Sequence, residues 1–371
     1  MPLGRRQRVA TVGAAAVATA LSLAACSSSS SSSTPASSGS GSTTSSAASS
    51  SSAALSGTLN GSGSTLQQTY QEAAISAFKT VQSGMTVNYG GGGSGKGRTD
   101  LASGVVNYAA SDSPIPASEL STFNGKTVLY FPDVIAPVTV SYNLSGLSKP
   151  LQLSAPVIAS IFQAKITTWN NSAIAADNPG VTLPSTPITI AVRSDSSGTT
   201  QNFTQFLVDA TGDGWTLGTS STIKWPSTAR AGNGNGGVAS IIKSTPGAVG
   251  YVDYSDAKAS GLTFASVKNK AGDYVAPSVA GASAAANQVT VKSNLTFSAI
   301  WAPGASSYPI SAQSYVLVYE TQPNANDAAM LKAWVGYLIG DGQKLLPGLG
   351  FAPVPSSIQS TAQAQLSKIT S

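Results

Sequence analysis

Three times in this chain a turn rich in glycine and hydroxyl residues precedes a helical pattern, and a short apolar run leads into the second and the third. The turns are Gly61-Ser62-Gly63-Ser64-Thr65, Gly90 to Gly97 (GGGGSGKG), and Ser194 to Thr200 (SDSSGTT) behind Arg193. Leu66, Tyr70, Ala74, Phe78 and Val81 recur at three- and four-residue spacing after the first turn, and Gly84 can end that helix. Met85–Tyr89, Val105–Ala110, Ile188–Val192, Val249–Tyr254 and Tyr315–Glu320 read as buried strands. Val128–Phe131 and Val134–Tyr142 read as strands interrupted by Pro132 and Pro137. A second helix is expected from Thr99 to about Ser103. Others are expected after Thr200 on Phe203, Phe206 and Leu207, over Val238–Lys243 behind the Gly232–Gly237 turn, and over Ala328–Ile339. Strands alternating with helices predict an α/β fold with largely parallel sheets.

The N-terminus predicts export. Arg5, Arg6 and Arg8 precede an apolar stretch, Val9–Leu23, that is too short to span a bilayer and suits a signal peptide over residues 1–25. Leu23-Ala24-Ala25-Cys26 resembles a bacterial lipobox, in which the cysteine is acylated and the chain is cut before it; the alternative is a secretory signal with a chance cysteine. Residues 27–56 hold only Ser, Thr, Ala, Gly, one Pro and Leu55, a composition that cannot bury a core. With Cys26 this segment, 26–56, reads as a tether reaching roughly 30 Å by random-coil scaling.

Composition excludes several chemistries. The chain has no histidine and one cysteine, so Ser-His-Asp and Cys-His nucleophiles, histidine metal sites, thiolate clusters and internal disulfides are all ruled out. Without the three leader arginines the 20 basic residues fall to 17 against 15 acidic ones, which is no nucleic-acid footprint. No cofactor or metal is implied.

The glycine turns have their own chemistry. A helix N-terminus presents unpaired N–H groups and partial positive charge, so it suits an anion; the plainer reading is ordinary capping. Gly90 to Lys96 matches the P-loop pattern, but Gly97 stands where a magnesium-holding Ser or Thr is required. GNGNGG lacks an apolar strand before it, and Asp209–Gly214 lacks the acidic twelfth ligand of a calcium loop, Ser220 standing there.

Taken in order, GSGST, YGGGGSGKG, NYAASDSPI, FPDVIAPV, ITTWN, RSDSSGTT, GNGNGGVASIIKSTPGAVGYVDY and YPIS resemble the extracytoplasmic phosphate-binding protein of the high-affinity phosphate ABC importer, over essentially Gly57 to Ser371. The resemblance implies a two-lobed type II periplasmic-binding-protein fold with a hinged ligand cleft. Lobe I would comprise 57–136 and 308–371, and lobe II 137–307. It implies that inorganic phosphate is held by the Thr65 hydroxyl, the Leu66 N–H, Ser94, Asp112, Arg193, Ser197, Gly198 and Thr199, with Asp195 steadying the guanidinium. Leu66 replaces an aromatic common in the family. Lys96 and Arg98 are untypical; they read as steering charges or solvated surface.

Under that resemblance Asp112 would accept the hydrogen bond of monohydrogen phosphate and repel fully deprotonated sulfate. It further implies a monomer that is no enzyme, anchored through Cys26 to the outer face of the cytoplasmic membrane of a Gram-positive-type envelope, with ABC permease subunits as partners. An exported phosphate-ester hydrolase and a receptor-like sensor or adhesin are the rival readings.

Overall fold

The computed structural model describes residues 55–371; the leader, Cys26 and nearly all of the tether lie outside them. A strand that was not anticipated, β1 (Gly57–Gly63), leads into the expected helix α1 (Gln68–Phe78), and the expected β2 (Met85–Gly90) leads into α2 (Ser94–Ala102), with β3 (Tyr108–Ser111) following. After β4 (Val128–Tyr142) come β5 (Gln152–Leu153), α3 (Ala155–Phe162) and α4 (Ser172–Asp177). The pattern then repeats, β6 (Thr189–Arg193) leading into α5 (Gly198–Thr211) and β7 (Arg230–Gly232) into α6 (Gly234–Ser244). The next elements are β8 (Ala248–Asp253), α7 (Tyr254–Ala259), β9 (Thr263–Phe264), β10 (Ser266–Lys268), β11 (Tyr274–Val275) and α8 (Val279–Ala286). The last are β12 (Ser311–Tyr319), α9 (Ala325–Leu338), α10 (Leu346–Leu349) and α11 (Ser356–Gln365).

The main sheet has the order β2-β1-β3-β12-β4-β8-β6-β7, with β9 beside β4; β11, β10 and β5 form a small second sheet. Its two ends are parallel, β1 with β2 and β3, and β6 with β7 and β8. Its centre is antiparallel, because β12 runs against β3 and β4, and β4 against β8. The expectation of largely parallel sheets therefore holds only for the flanks.

Pro132 and Pro137 do not break β4. Pro132 pairs opposite Tyr315 and Val134 opposite Ser314, so Asp133 is the extra residue of a bulge. Pro137 is the last residue paired with β12, and Val138 is the first paired with β8. A residue without an N–H is tolerated where the ladder is disrupted or changes partner.

Buried aromatic residues hold the helices to the sheet. Phe78 packs edge-on against Trp334 at 5.1 Å on one flank, and Phe203 stacks on Tyr251 at 4.5 Å on the other. Each such side chain contributes about 1.5–3 kcal/mol on full burial. Several expected boundaries shift. α1 ends at Phe78 and leaves Val81 58% exposed, and β3 starts at Tyr108, leaving Val105 67% exposed. α2 starts at Ser94 rather than Thr99, and α6 at Gly234 rather than Val238, so both glycine turns are already helix. Gly97 tolerates this because it packs against backbone: a Cβ there would lie 2.7 Å from Gly63 Cα and Ser62 O. The same contact forbids the Ser or Thr of a P-loop.

Among the described residues no helix is long and apolar enough to cross a membrane.

Candidate functional site

Ligand crevices of open α/β sheets lie beyond the carboxyl ends of parallel strands. Here β1, β2, β6 and β7 each end at a helix start, so the N-termini of α1, α2, α5 and α6 bring partial positive charge to one place. Asp112 follows β3 into this focus and is almost completely buried. Its Oδ1 accepts from Ser64 Oγ at 2.5 Å and Ser314 Oγ at 2.7 Å, and its Oδ2 from Ser94 Oγ at 3.4 Å. The Asp112 N–H donates back to Ser94 Oγ at 3.1 Å. Its carbonyl accepts from Asn202 Nδ2 at 2.7 Å and Gln313 Nε2 at 3.3 Å. Burial pushes the carboxyl above the ordinary carboxylate range, opposed by the Ser64 and Ser314 hydroxyls, the Arg193 charge and Ser94.

Arg193 ends β6 and lies on the other side of the focus. Its Nε donates to Asp195 Oδ1 at 2.8 Å, and its Nη2 donates to Asp195 Oδ2. Nη1 is directed to Thr199 Oγ1 at 3.3 Å and Asn235 Oδ1 at 3.1 Å. Asp195 also accepts from the Gly234 N–H at 3.0 Å. Burial alone would raise its carboxyl, but the Arg193 guanidinium outweighs it and holds Asp195 below the usual range.

The expected residues converge. Ser94 is the first residue of α2; Ser197 caps α5, accepting from the Thr200 N–H at 3.1 Å. At Gly198 a Cβ would lie 2.7 Å from Asp112 Cβ and Oδ2, so only glycine lets α5 start directly over that carboxylate. The Gly95 N–H donates to Ser196 O at 2.9 Å and ties the two sides together. Thr65 Oγ1 accepts from the Asn235 N–H at 3.3 Å, and the Leu66 N–H donates to Ser64 Oγ at 3.1 Å. Thr65 and Asn235 border a polar depression of about 420 Å³ that also touches Gln68, Glu72, Gly92 and Asp256.

Five partners were not anticipated: Ser64, Asn235, Asn202, Ser314 and its neighbour Gln313. Ser64 stood inside the GSGST turn, and Asn235 inside the GNGNGG turn, so both carried a local signal. Ser314 and Asn202 reach Asp112 from 202 and 90 residues away, with none. Lys96 is 53% exposed and paired with Asp100 at 2.5 Å. Arg98 corrects the expectation of a steering or solvated charge: it is fully buried, holding Glu119 from Nε at 2.6 Å and Nη2 at 3.0 Å, and reaching Ser111 Oγ from Nη1 at 3.2 Å. Among the described residues no cluster of three acidic, cysteine or histidine residues could hold a metal.

With Arg193 matched by Asp195, Asp112 leaves the constellation with a net negative charge. Its affinity for an anion would come from N–H and hydroxyl dipoles rather than from excess cations. The donors suit a tetrahedral oxyanion, and the one acceptor suits a ligand that still bears hydrogen.

Comparison with known proteins shows the family. The model of the PBP superfamily domain matches residues 48–341. The chain is 34% identical over 315 residues to the phosphate-binding protein PstS 3 of Mycobacterium leprae, covering 82% of this chain and 84% of that one. It is 32% identical over 313 residues to PstS of Pasteurella multocida, covering 83% and 89%. Among solved structures it resembles a high-affinity periplasmic phosphate-binding protein bound with phosphate, with a TM-score of 0.70, 24% identity, and coverage of 83% and 94%. The chain belongs to the periplasmic-binding-protein superfamily, with the two-lobed fold, and within it to the family of the phosphate-binding proteins PstS.

Proposed function

We propose that this protein is an extracytoplasmic receptor that encloses inorganic phosphate and delivers it to an ABC importer. The observation that carries the reading is Asp112, a buried acceptor ringed by Ser64, Ser94 and Ser314 and facing a guanidinium already matched by Asp195. Monohydrogen phosphate would donate its one hydrogen bond to Asp112. Ser94, Arg193, Ser197, Gly198, Thr199, Thr65 and the Leu66 N–H would donate to its other oxygens, some by exchanging the partners they now hold. Sulfate has no proton to offer. Its oxygen would meet the carboxylate oxygen, and sites of this kind can discriminate by about 10⁴–10⁵.

Lobe I would be 57–136 with 308–371, and lobe II 137–307, joined through β4 and β12; the change of partner at Pro137 and Val138 supports that boundary. Contacts made from both lobes favour a closed form, which a permease can distinguish from the open one. Turnover is not expected, because the hydroxyls at the site already act as donors and no histidine is available to activate one. The signal sequence and Cys26 support a lipoprotein on the outer face of the cytoplasmic membrane, and one chain contributing every residue of the site is consistent with a monomer. Titration calorimetry on the purified domain is expected to show tight phosphate binding and negligible sulfate binding; equal affinities would refute the reading.

A further inference from the structure

Asp133, the bulged residue of β4, is fully buried and has no part in the anion contacts above. Its Oδ1 has only a long contact with Gln67 Nε2, at 3.5 Å, and its Oδ2 has no partner among the described residues. The titratable side chains facing it are Asp112 beyond β3, Tyr70 of α1, Tyr89 of β2 and Tyr108 of β3. Each described Lys or Arg that forms an ion pair does so with another acid. Beyond the long Gln67 contact only the backbone N–H groups of Asp133 and Val134 favour its charged form, and burial outweighs them, so a carboxylate there is disfavoured. Burial, reinforced by the negative charge of Asp112, pushes the Asp133 carboxyl well above the ordinary carboxylate range.

The two acids are connected. The Gln67 amide that approaches Asp133 donates to Ser314 Oγ at 2.7 Å, and Ser314 Oγ donates to Asp112 Oδ1 at 2.7 Å. Because Arg193 is matched by Asp195, Asp112 is an unmatched acid directly against the anion. A second negative charge, directly behind it, would repel the anion and draw the Gln67 amide away from Ser314.

We propose that Asp133 carries its proton while the site binds phosphate, and that losing this proton weakens binding through Gln67, Ser314 and Asp112. Asp133 is thus a specificity-supporting residue one layer behind the ligand, and it confers an alkaline limit on affinity. The inference rests on the receptor reading above.

Phosphate affinity would be measured calorimetrically across the alkaline range well above the second ionisation of phosphate, where free phosphate is almost wholly the monohydrogen dianion, and the comparison with the wild type is made from the low end of that range upward. The wild-type protein is expected to lose up to about tenfold in affinity per pH unit once Asp133 ionises. Asp133→Asn, which cannot ionise, should match the wild type at the low end of that range and stay flat. Parallel loss in both proteins, or a flat wild-type profile, overturns the proposal. Infrared spectra of the wild type, which need no variant to fold, should lose one protonated-carboxyl C=O component in step with affinity, whatever band the other buried acid, Asp253, contributes; if no such component is lost as affinity falls, the proposal is also overturned. If that component is present near neutrality but phosphate does not bind, the receptor reading has failed and the protonated state of Asp133 stands.

Discussion

Asp112 shows how a single acceptor can set selectivity in a crowd of donors. A neutral amide in its place could donate to a deprotonated oxygen, so Asp112→Asn is expected to relax the discrimination between phosphate and sulfate from about 10⁴ or more to within about tenfold, measured by competitive calorimetry. Asp195 acts on the guanidinium rather than on the ligand. The Arg193 guanidinium holds its folded-state carboxyl below the ordinary aspartate range, so the stability it contributes is fully present above that range and is lost as pH falls through the lowered value. Asp195→Asn should therefore melt at a lower temperature than the wild type near neutrality, and the gap should close in acid; a gap independent of pH would show that Arg193 does not hold this charge.

At the scale of elements, the start of α5 is the tightest junction. Gly198→Ala would place a methyl against Asp112 and Ser94 and force the helix to retreat. Overpacking of this kind costs about 1–3 kcal/mol. Phosphate affinity is expected to fall at least about tenfold while far-ultraviolet circular dichroism stays native; unchanged affinity would show that α5 does not close on the carboxylate.

The same element scale shows what could be read from the sequence. The glycine-rich turns and the helices behind them were legible because glycine and hydroxyl residues mark a turn and apolar spacing marks the helix. β1 and β7 were not, since GTLNGSG and RAG carry almost no apolar side chains to mark a strand, and β7 stands where GNGNGG had read as lacking one. Nor was the onset of α2. Gly95 and Gly97 read as loop, yet they are helical because Ser196 and the end of β1 press against them, a tertiary contact that propensity does not encode. The antiparallel centre was equally hidden, since β12 meets β4 across nearly two hundred residues and its apolar pattern carries no direction. Within the site, Ser94, Asp112 and Arg193 stood in recognisable turns, whereas Ser314 is one polar residue in a buried strand. Arg98 looked like surface because Glu119, which covers it, lies 21 residues away in another segment.

At the scale of the whole molecule, β4 is shared by both flanks of the sheet, pairing with β12 toward one and β8 toward the other, and the donors around Asp112 come from both, Ser64 after β1 and Asn202 in α5. Ligand contacts should therefore draw the flanks together. Small-angle scattering is expected to show a smaller radius of gyration with phosphate than without it, and no such change with sulfate. A protein equally compact in both would bind without closing. The most direct test is a crystal structure grown with phosphate at neutral pH. The account predicts one tetrahedral anion within hydrogen-bond distance of Ser94, Arg193 and Thr199, with one oxygen against the Asp112 carboxylate. An anion bound elsewhere, or one that leaves Asp112 untouched, would contradict it.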